Sequence, residues 1–270
     1  MISLNGKILS DEAAVISPLA AGFAFGAGVF TTVRVRAGRA DFLKLHGDRL
    51  LHDAKALALP PVSATAGFRE RCAAFISAAN LTDGAMKIIW FADEREQTTE
   101  VIFQRPFSYG AETKARGLRL MTTRCASRAA RELSRHKTLN YLEHHRAKRA
   151  AAGAGFDEAL WVDESGMILE GATTNVFVVM GDEIITPDLG SGLLPGIARR
   201  VLLSLPGVAQ IREAKLMTHV LAEAQEVFVT NALMGVTPVC GVDGRRYLVD
   251  GNHVTQRLMR AFEQEADASH

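Results

Sequence analysis

Lys137 lies in SRHKTLNYLEHH, residues 134–145, ahead of Leu139, Tyr141 and Leu142 and of a basic run through His144, His145, Arg146, Lys148 and Arg149. The basic run reads as a solvated helix face. Lys137 stands instead at the entrance of the apolar-periodic part. An ammonium drawn toward an apolar cleft loses hydration, its pKa falls, and the neutral amine becomes able to form a Schiff base with an aldehyde. A lone lysine is more often a buried stem with its head in water, so the chemical reading needs further residues.

Glu170 ends the run MIL and precedes GATTNVFVV, which leaves a carboxylate inside β-branched, strand-forming text. A buried carboxylate stays ionised only when paired or hydrogen-bonded. The N–H of a protonated pyridine ring is such a partner, and pyridoxal phosphate enzymes place an acid there so that the ring can absorb electrons. A glutamate on an edge strand facing water fits the same text. In GSGLLPGIARR, residues 190–200, glycines precede Pro195 at a first helical turn. The amides of Gly196, Ile197 and Ala198 are then unpaired at the positive end of a helix dipole, a site for phosphate, although many helices begin this way. Arg49, in HGDRLLHDAKAL, is a cation one turn into an amphipathic helix, either solvated or paired with phosphate. Lysine, carboxylate and anion site follow one another in the order a cofactor enzyme needs.

Positioning these groups falls to a chain of 270 residues, 48% of them hydrophobic, which can bury one large core or two moderate ones. With 31 Lys and Arg against 30 Asp and Glu, the net charge draws neither nucleic acid nor an anionic membrane, leaving a small molecule or a protein as partner. Cys72, Cys125 and Cys240 are far apart without a C-x-x-C, which argues against a disulfide framework or thiolate zinc site and fits a reducing cytoplasm. The N-terminal text lacks the pattern of a secretory signal, and no apolar run approaches the roughly 18 residues of a membrane span.

The expected class is α+β, in two lobes. Residues 1–107 read as a small β-β-α-α-β-β domain. It has strands in ISLNG and KILS, a hairpin turning at Ala37-Gly38, and a helix from Lys44 to Leu59 with Leu45, Leu50, Leu51, Ala54, Leu57 and Ala58 on one stripe. A second helix from about Ala66 to Asn80 and the strand pair AMKIIWFA and TEVIFQRPF complete it. The polar stretch SYGAETKARG, 108–117, reads as a linker, and 118–270 as a larger β-rich domain. That domain opens with LRLMTTRCA, passes the helix carrying Lys137, and enters a meander through EALWVD, MILEGATTNVFVVM and IITP. The anion-site helix, a strand and turn in AQEVFVTNALMGVTPVCGVDG, and a closing helix follow. A small-molecule site is expected where the lobes meet.

FGAGVFTTVRVRAGR, LHGDRL, KTLNYL, DEALWVDESGMILEGATTNVFVV, TPDLGSGLLPGIARR and TNALMGVTPV resemble, in order and over nearly the full length, the fold type IV pyridoxal 5'-phosphate (PLP) enzymes. That group holds branched-chain aminotransferases, D-amino acid aminotransferases and aminodeoxychorismate lyase. The resemblance implies a two-domain homodimer with the cofactor between lobes. It implies that Lys137 carries the Schiff base and Glu170 holds the pyridine nitrogen. Arg49 and the amides of Ile197 and Ala198 then hold the phosphate, Asn231 and Ala232 stand at the second phosphate contact, and Tyr141 reaches the ring's phenolic oxygen. Ala198 and Ala232 replace hydroxyl residues usual in the transaminases, so phosphate binding leans on backbone amides and Arg49.

The FTT of residues 30–32, the NALM of 231–234 and the short length look like the lyase, which converts 4-amino-4-deoxychorismate to 4-aminobenzoate and pyruvate in folate biosynthesis. On that reading Thr32 orients or protonates the departing group. Arg34 is a candidate cation for the substrate carboxylates, against a plain strand arginine facing solvent. Gly26-Ala27-Gly28 stands where the family has G-D-G, and ADEREQTTE replaces a glycine-rich segment of the lyase, both on the substrate side. An aminotransferase for branched-chain or D-amino acids would use the same lysine, and a non-catalytic small-molecule binding protein is the third reading. G-x-G-x-x-G, P-loop and G-x-S-x-G patterns are absent, and His46, His52, His144 and His145 lack ligand spacing, so no metal is expected.

Overall fold

Asn5-Gly6 and Ala37-Gly38 turn the chain through positive φ, 50° and 85°, then 47° and 75°, the pairing that tight hairpins require. The first joins β1 (Ile2–Leu4) to β2 (Lys7–Leu9). After α1 (Ala21–Phe25), the second joins β3 (Gly28–Arg36) to β4 (Arg39–Ala40). Helices α2 (Leu43–Ala56) and α3 (Phe68–Ala78) and the antiparallel pair β5 (Gly84–Ala92) and β6 (Thr98–Arg105) follow. The six strands form one sheet in the order β2-β1-β6-β5-β3-β4. This computed structural model describes residues 1–60, 67–106, 110–126, 128, 132–206, 211–251 and 253–270. The expected start of the second helix at Ala66, and Ser108 and Tyr109 of the expected linker, lie outside them.

Val29, Val33 and Val35 of β3 pack with Leu50 and Ala54 of α2, Phe75 of α3 and Met86, Ile88 and Trp90 of β5. The face that α2 buries is not the purely apolar stripe expected. It carries Leu43, His46, Gly47, Leu50, Asp53 and Ala54, while Leu51 is exposed. His46 and Asp53 fall on the helical period of Leu43 and Leu50, and burying polar groups requires partners for them.

Two compact units divide the chain: Met1–Ser108 with His136–Asn140 and Ala266–His270, and Tyr109–Arg135 with Tyr141–Glu265. Within the second unit α4 (Ala111–Arg116) makes a helix of part of the expected linker, before β7 (Leu118–Cys125), α5 (Leu142–Gly153), β8 (Glu158–Asp163) and β9 (Met167–Gly171). Then come β10 (Asn175–Met180), β11 (Glu183–Pro187), α6 (Ile197–Ser204), β12 (Ile211–Ala214), β13 (Leu216–Met217) and α7 (Val220–Glu223). Strands β14 (Glu226–Asn231), β15 (Gly235–Val242) and β16 (Arg245–Arg246) and helix α8 (His253–Ala268) end the chain. The sheet runs β12-β11-β10-β14-β15-β7-β8-β9-β13, with β16 beside β15. Leu120, Leu160, Val176, Val178, Val227 and Val229 lie in its core.

The expected meander is broken after Glu170. Strand β9 pairs with β8 and β13, whereas β10 pairs with β11 and β14. The bend closes through Gly171 N donating to Thr174 O at 2.7 Å, and a Cβ on Gly171 would lie 2.0 Å from Thr174 Oγ1. A side chain there would force Thr174 or the bend to shift.

Lys137 is not on a helix either. Glu132–Arg135 form one 3-10 turn and α5 starts at Leu142. Between them the chain lies extended beside β3, with Phe30 N donating to Lys137 O at 2.8 Å and Leu139 N to Gly28 O at 2.9 Å. Pairing with a strand edge outweighs the short helical pattern. Of the basic run, His145, Arg146 and Arg149 are exposed, but Lys148 Nζ donates to Asp157 O at 2.6 Å and pairs with the buried Glu158 at 3.2 Å. Among the described residues no helix is long and apolar enough to cross a membrane.

Candidate cofactor and active site

In the first unit the buried polar residues of α2 meet β3 and the lysine segment. Arg49 Nη2 donates to Thr31 Oγ1 at 2.5 Å, and the same oxygen lies 2.5 Å from His46 Nδ1. Burial first, then the cations Arg49 and Lys137, hold the His46 pKa well below its ordinary 6.5, so the imidazole is neutral. The Thr31 hydroxyl bridges the guanidinium and the neutral imidazole, whose buried Nε2 has no hydrogen-bond partner among the described residues. One turn beyond Arg49, the Asp53 carboxylate accepts the Lys137 amide at 3.0 Å and meets His136 Nδ1 at 2.8 Å. With His52 these groups bring three potential ligand atoms within 4.8 Å of one another, but the Asp53 oxygens already hold the two hydrogen bonds just described.

Two ammonium groups approach one aromatic ring. Lys137 Nζ is 4.7 Å and Lys87 Nζ 4.1 Å from the centre of the Phe30 ring. Burial, then Arg105, lowers the Lys87 pKa. Thr32 is the cross-strand partner of Lys87 and, two residues beyond Phe30, shares its face of the sheet. Arg34 does not serve as a free cation: its guanidinium donates to the Val35 and Gly84 carbonyls at 2.6 and 2.8 Å and to Asp83 at 2.5 Å, clasping the β3–β5 end.

In the second unit Glu170 is 3% exposed. Its Oε1 lies 3.4 Å from Arg128 Nη1 and its Oε2 accepts the Leu194 amide at 3.1 Å. Arg128 is itself buried, with its guanidinium carbon 4.6 Å from the centre of the Trp161 ring and Nη2 3.6 Å from Glu143. Tyr141 stacks on His144 at 4.2 Å and 8°. The Tyr141 hydroxyl donates to Ala172 O at 3.3 Å, and His144 Nδ1 reaches the same carbonyl at 2.9 Å. Both ties run from the start of α5 to the bend after Glu170.

Helix α6 begins at an N-cap glycine, Gly196, without a side-chain cap or an acidic residue in its first turn. The first amides, including those of Ile197 and Ala198, are thus open to an anion. Pro195 precedes the cap instead of occupying the first turn as expected. Asn175 supports this approach, its Nδ2 donating to Leu194 O at 2.9 Å. A Cβ on Gly196 would stand 2.1 Å from Asn175 Oδ1. The Asn231 side chain is spent on shape: Oδ1 accepts the Leu233 and Met234 amides at 2.9 Å each and Nδ2 donates to Thr173 O at 3.2 Å. The side chain thereby holds the turn that carries the Ala232 amide.

Sequence reasoning missed Asp53, Lys87, Arg128 and Asn175 as members of these two sets. Asp53 carried a signal, since it lies four residues after Arg49 and seven after His46, one helical face. Arg128 sits in irregular chain without periodicity, and nothing in its neighbours marked it.

Each unit holds groups whose chemistry suits PLP: the second a buried carboxylate hydrogen-bonded by the Leu194 amide and an uncapped helix start, the first an amine beside the Phe30 ring. A family model described as amino-transferase class IV matches residues 28–242. A Methanocaldococcus jannaschii protein named "Putative branched-chain-amino-acid aminotransferase" is 30% identical, over 97% of this chain and 95% of its own. Aminodeoxychorismate lyase of Bacillus subtilis is 24% identical over 98% and 94%. The crystal structure of 4-amino-4-deoxychorismate lyase from Pseudomonas aeruginosa superposes with a TM-score of 0.86 at 28% identity, covering 99% of this chain and 100% of that one.

Proposed function

The chain belongs to the class IV aminotransferase family and is a PLP-dependent enzyme of fold type IV, and from that premise we propose that it is an aminodeoxychorismate lyase whose Schiff-base residue is Lys137. The observation that carries the reading is the Phe30 ring, which the ammonium groups of Lys137 and Lys87 both approach, with Thr32 the cross-strand partner of Lys87. A substrate with two carboxylates and an amine needs a cation beside the group that takes its amine. Lys87 meets that need, where Arg34 is committed to Asp83.

Bound PLP supplies an aldehyde for the substrate amine and a ring that accepts an electron pair. Arg49 would pair with the phosphate, as would the amides of Ile197, Ala198 and Ala232, and Tyr141 would stand beside the phenolic oxygen if its hydroxyl turned from Ala172 O. Glu170, beside Arg128 and the Leu194 amide, would accept the ring N–H. Lys137 Nζ would act as the base toward the proton on the substrate carbon bearing nitrogen. Thr32 Oγ1 orients or protonates the ether oxygen as its bond to the ring breaks, and pyruvate leaves while the carbocycle becomes aromatic.

An aminotransferase for branched-chain amino acids is the second reading, favoured by the higher identity to the Methanocaldococcus jannaschii protein, 30% against 24% for the Bacillus subtilis lyase. There Lys137 returns the proton and the amino group passes to a keto acid. The test is aminodeoxychorismate given to the PLP-loaded protein without any keto acid. Equimolar pyruvate and 4-aminobenzoate are expected; no pyruvate, with turnover of branched-chain or D-amino acids only when a keto acid is added, contradicts the lyase. The active form is a cytoplasmic homodimer in this proposal. Leu19, Phe23 and Phe25 support it, being 79%, 73% and 79% exposed, more apolar surface in one short stretch than a monomer ordinarily leaves wet.

A further inference from the structure

Asp53 is buried on α2, and both its oxygens are committed to the lysine segment: one accepts the Lys137 amide at 3.0 Å, the other meets His136 Nδ1 at 2.8 Å. On the other side, Phe30 N donates to Lys137 O at 2.8 Å. The main chain of the lysine is therefore held at its N–H by a helix side chain and at its C=O by a strand amide. A carboxylate acceptor makes the first of these the stronger kind of hydrogen bond.

Asp53 follows Arg49 by four residues and His46 by seven, so the three project from one face of one helix. The same face contacts Thr31 through His46 and Arg49. A reactive side chain is only as well placed as the backbone it leaves from, and a group carried on a rigid helix fixes it better than a loop can. A flexible lysine side chain multiplies any error in its Cα–Cβ direction.

We propose that Asp53 is a positioning residue for Lys137, setting the backbone from which the amine reaches the cofactor aldehyde and coupling that direction to Arg49 through α2. This rests on the PLP reading above and adds a residue to it. Asp53 governs covalent attachment and leaves the non-covalent hold on the cofactor intact.

The test separates those two quantities. Asp53→Ala, Asp53→Asn and Asp53→Glu are made in the full chain and in a Lys137→Ala background, with circular dichroism to check folding. PLP affinity is measured by equilibrium dialysis, and the share of bound PLP fixed to Lys137 is measured by borohydride reduction and peptide mass. In the Lys137→Ala background, Asp53→Ala should change PLP affinity less than about twofold; in the full chain it should lower the fixed share about tenfold or more. Asp53→Asn retains an acceptor for the Lys137 amide and should recover most of the loss. Asp53→Glu keeps the charge but lengthens the arm, and decides the matter with a similar fall if the alanine variant does not fold. Normal fixation in Asp53→Ala and Asp53→Glu overturns the proposal, as does an equal loss of PLP affinity in both backgrounds, which marks general damage to the site. A wild-type protein that fixes no PLP on Lys137 overturns the function reading and this proposal with it, an outcome visible before any Asp53 variant is made.

Discussion

At the scale of single residues the chain carries buried polar groups whose energetics can be measured without substrate. His46 is neutral when folded because burial and the cations Arg49 and Lys137 lower its pKa well below 6.5. As pH falls through 6.5 the unfolded chain takes up a proton there and the folded one does not. Stability from this group is therefore full above that pH and declines below it, by at most about 1.4 kcal/mol per pH unit. Thermal unfolding at about pH 7.5 and 5.5 should show a smaller shift for His46→Gln than for wild type; an unchanged shift contradicts the assignment. Glu170 offers a second test. Arg128→Met takes the guanidinium away from the buried Glu170 carboxylate, and the lost pairing should cost about 3 kcal/mol in denaturant unfolding. Combined with Glu170→Gln the loss should fall short of the sum of the single losses by about 1 kcal/mol or more. Strict additivity would mean that the two side chains do not interact.

At the scale of elements, the start of α6 depends on a close approach. Gly196→Ala would set a methyl 2.1 Å from Asn175 Oδ1, so the Asn175 side chain that holds Leu194 O, or the turn itself, must shift. The expected result is a loss of about 1–3 kcal/mol of stability and weaker binding of PLP. Unchanged PLP affinity would remove this turn from the phosphate site. The hairpins through Gly6 and Gly38 and the long strands β3, β5 and β6 were legible, because alternation and turn residues are local signals. The Lys137 segment was not. Its leucines and tyrosine imitate a helix, and the strand pairing that overrides them comes from Gly28 and Phe30, more than a hundred residues earlier. The buried face of α2 was half legible: Leu50 and Ala54 gave its direction, but His46 and Asp53 join it only through partners distant in sequence, Thr31, His136 and Lys137. The break after Glu170 was hidden for the same reason, since GATTN continues the β-branched text of its flanks and only Gly171 marks the bend.

At the scale of the whole molecule, family membership sets the cofactor, and the order of six motifs carried that much in the sequence alone. Substrate identity was less legible, because Lys87 becomes a candidate only when pairing of β3 with β5 sets it over Phe30. Assembly is a proposal with its own readout. Phe23→Glu with Phe25→Glu should convert a dimer to a monomer in light scattering after size exclusion, while a wild-type monomer contradicts the expectation. The central claim is that Lys137 is the amine that holds PLP, and mass analysis tests it most directly. After loading with PLP, borohydride reduction and digestion, one phosphopyridoxyl group should be found on the peptide containing Lys137 and should be missing from Lys137→Ala. Modification on Lys87 or another lysine in the wild-type protein, with Lys137 unlabelled, would contradict the account.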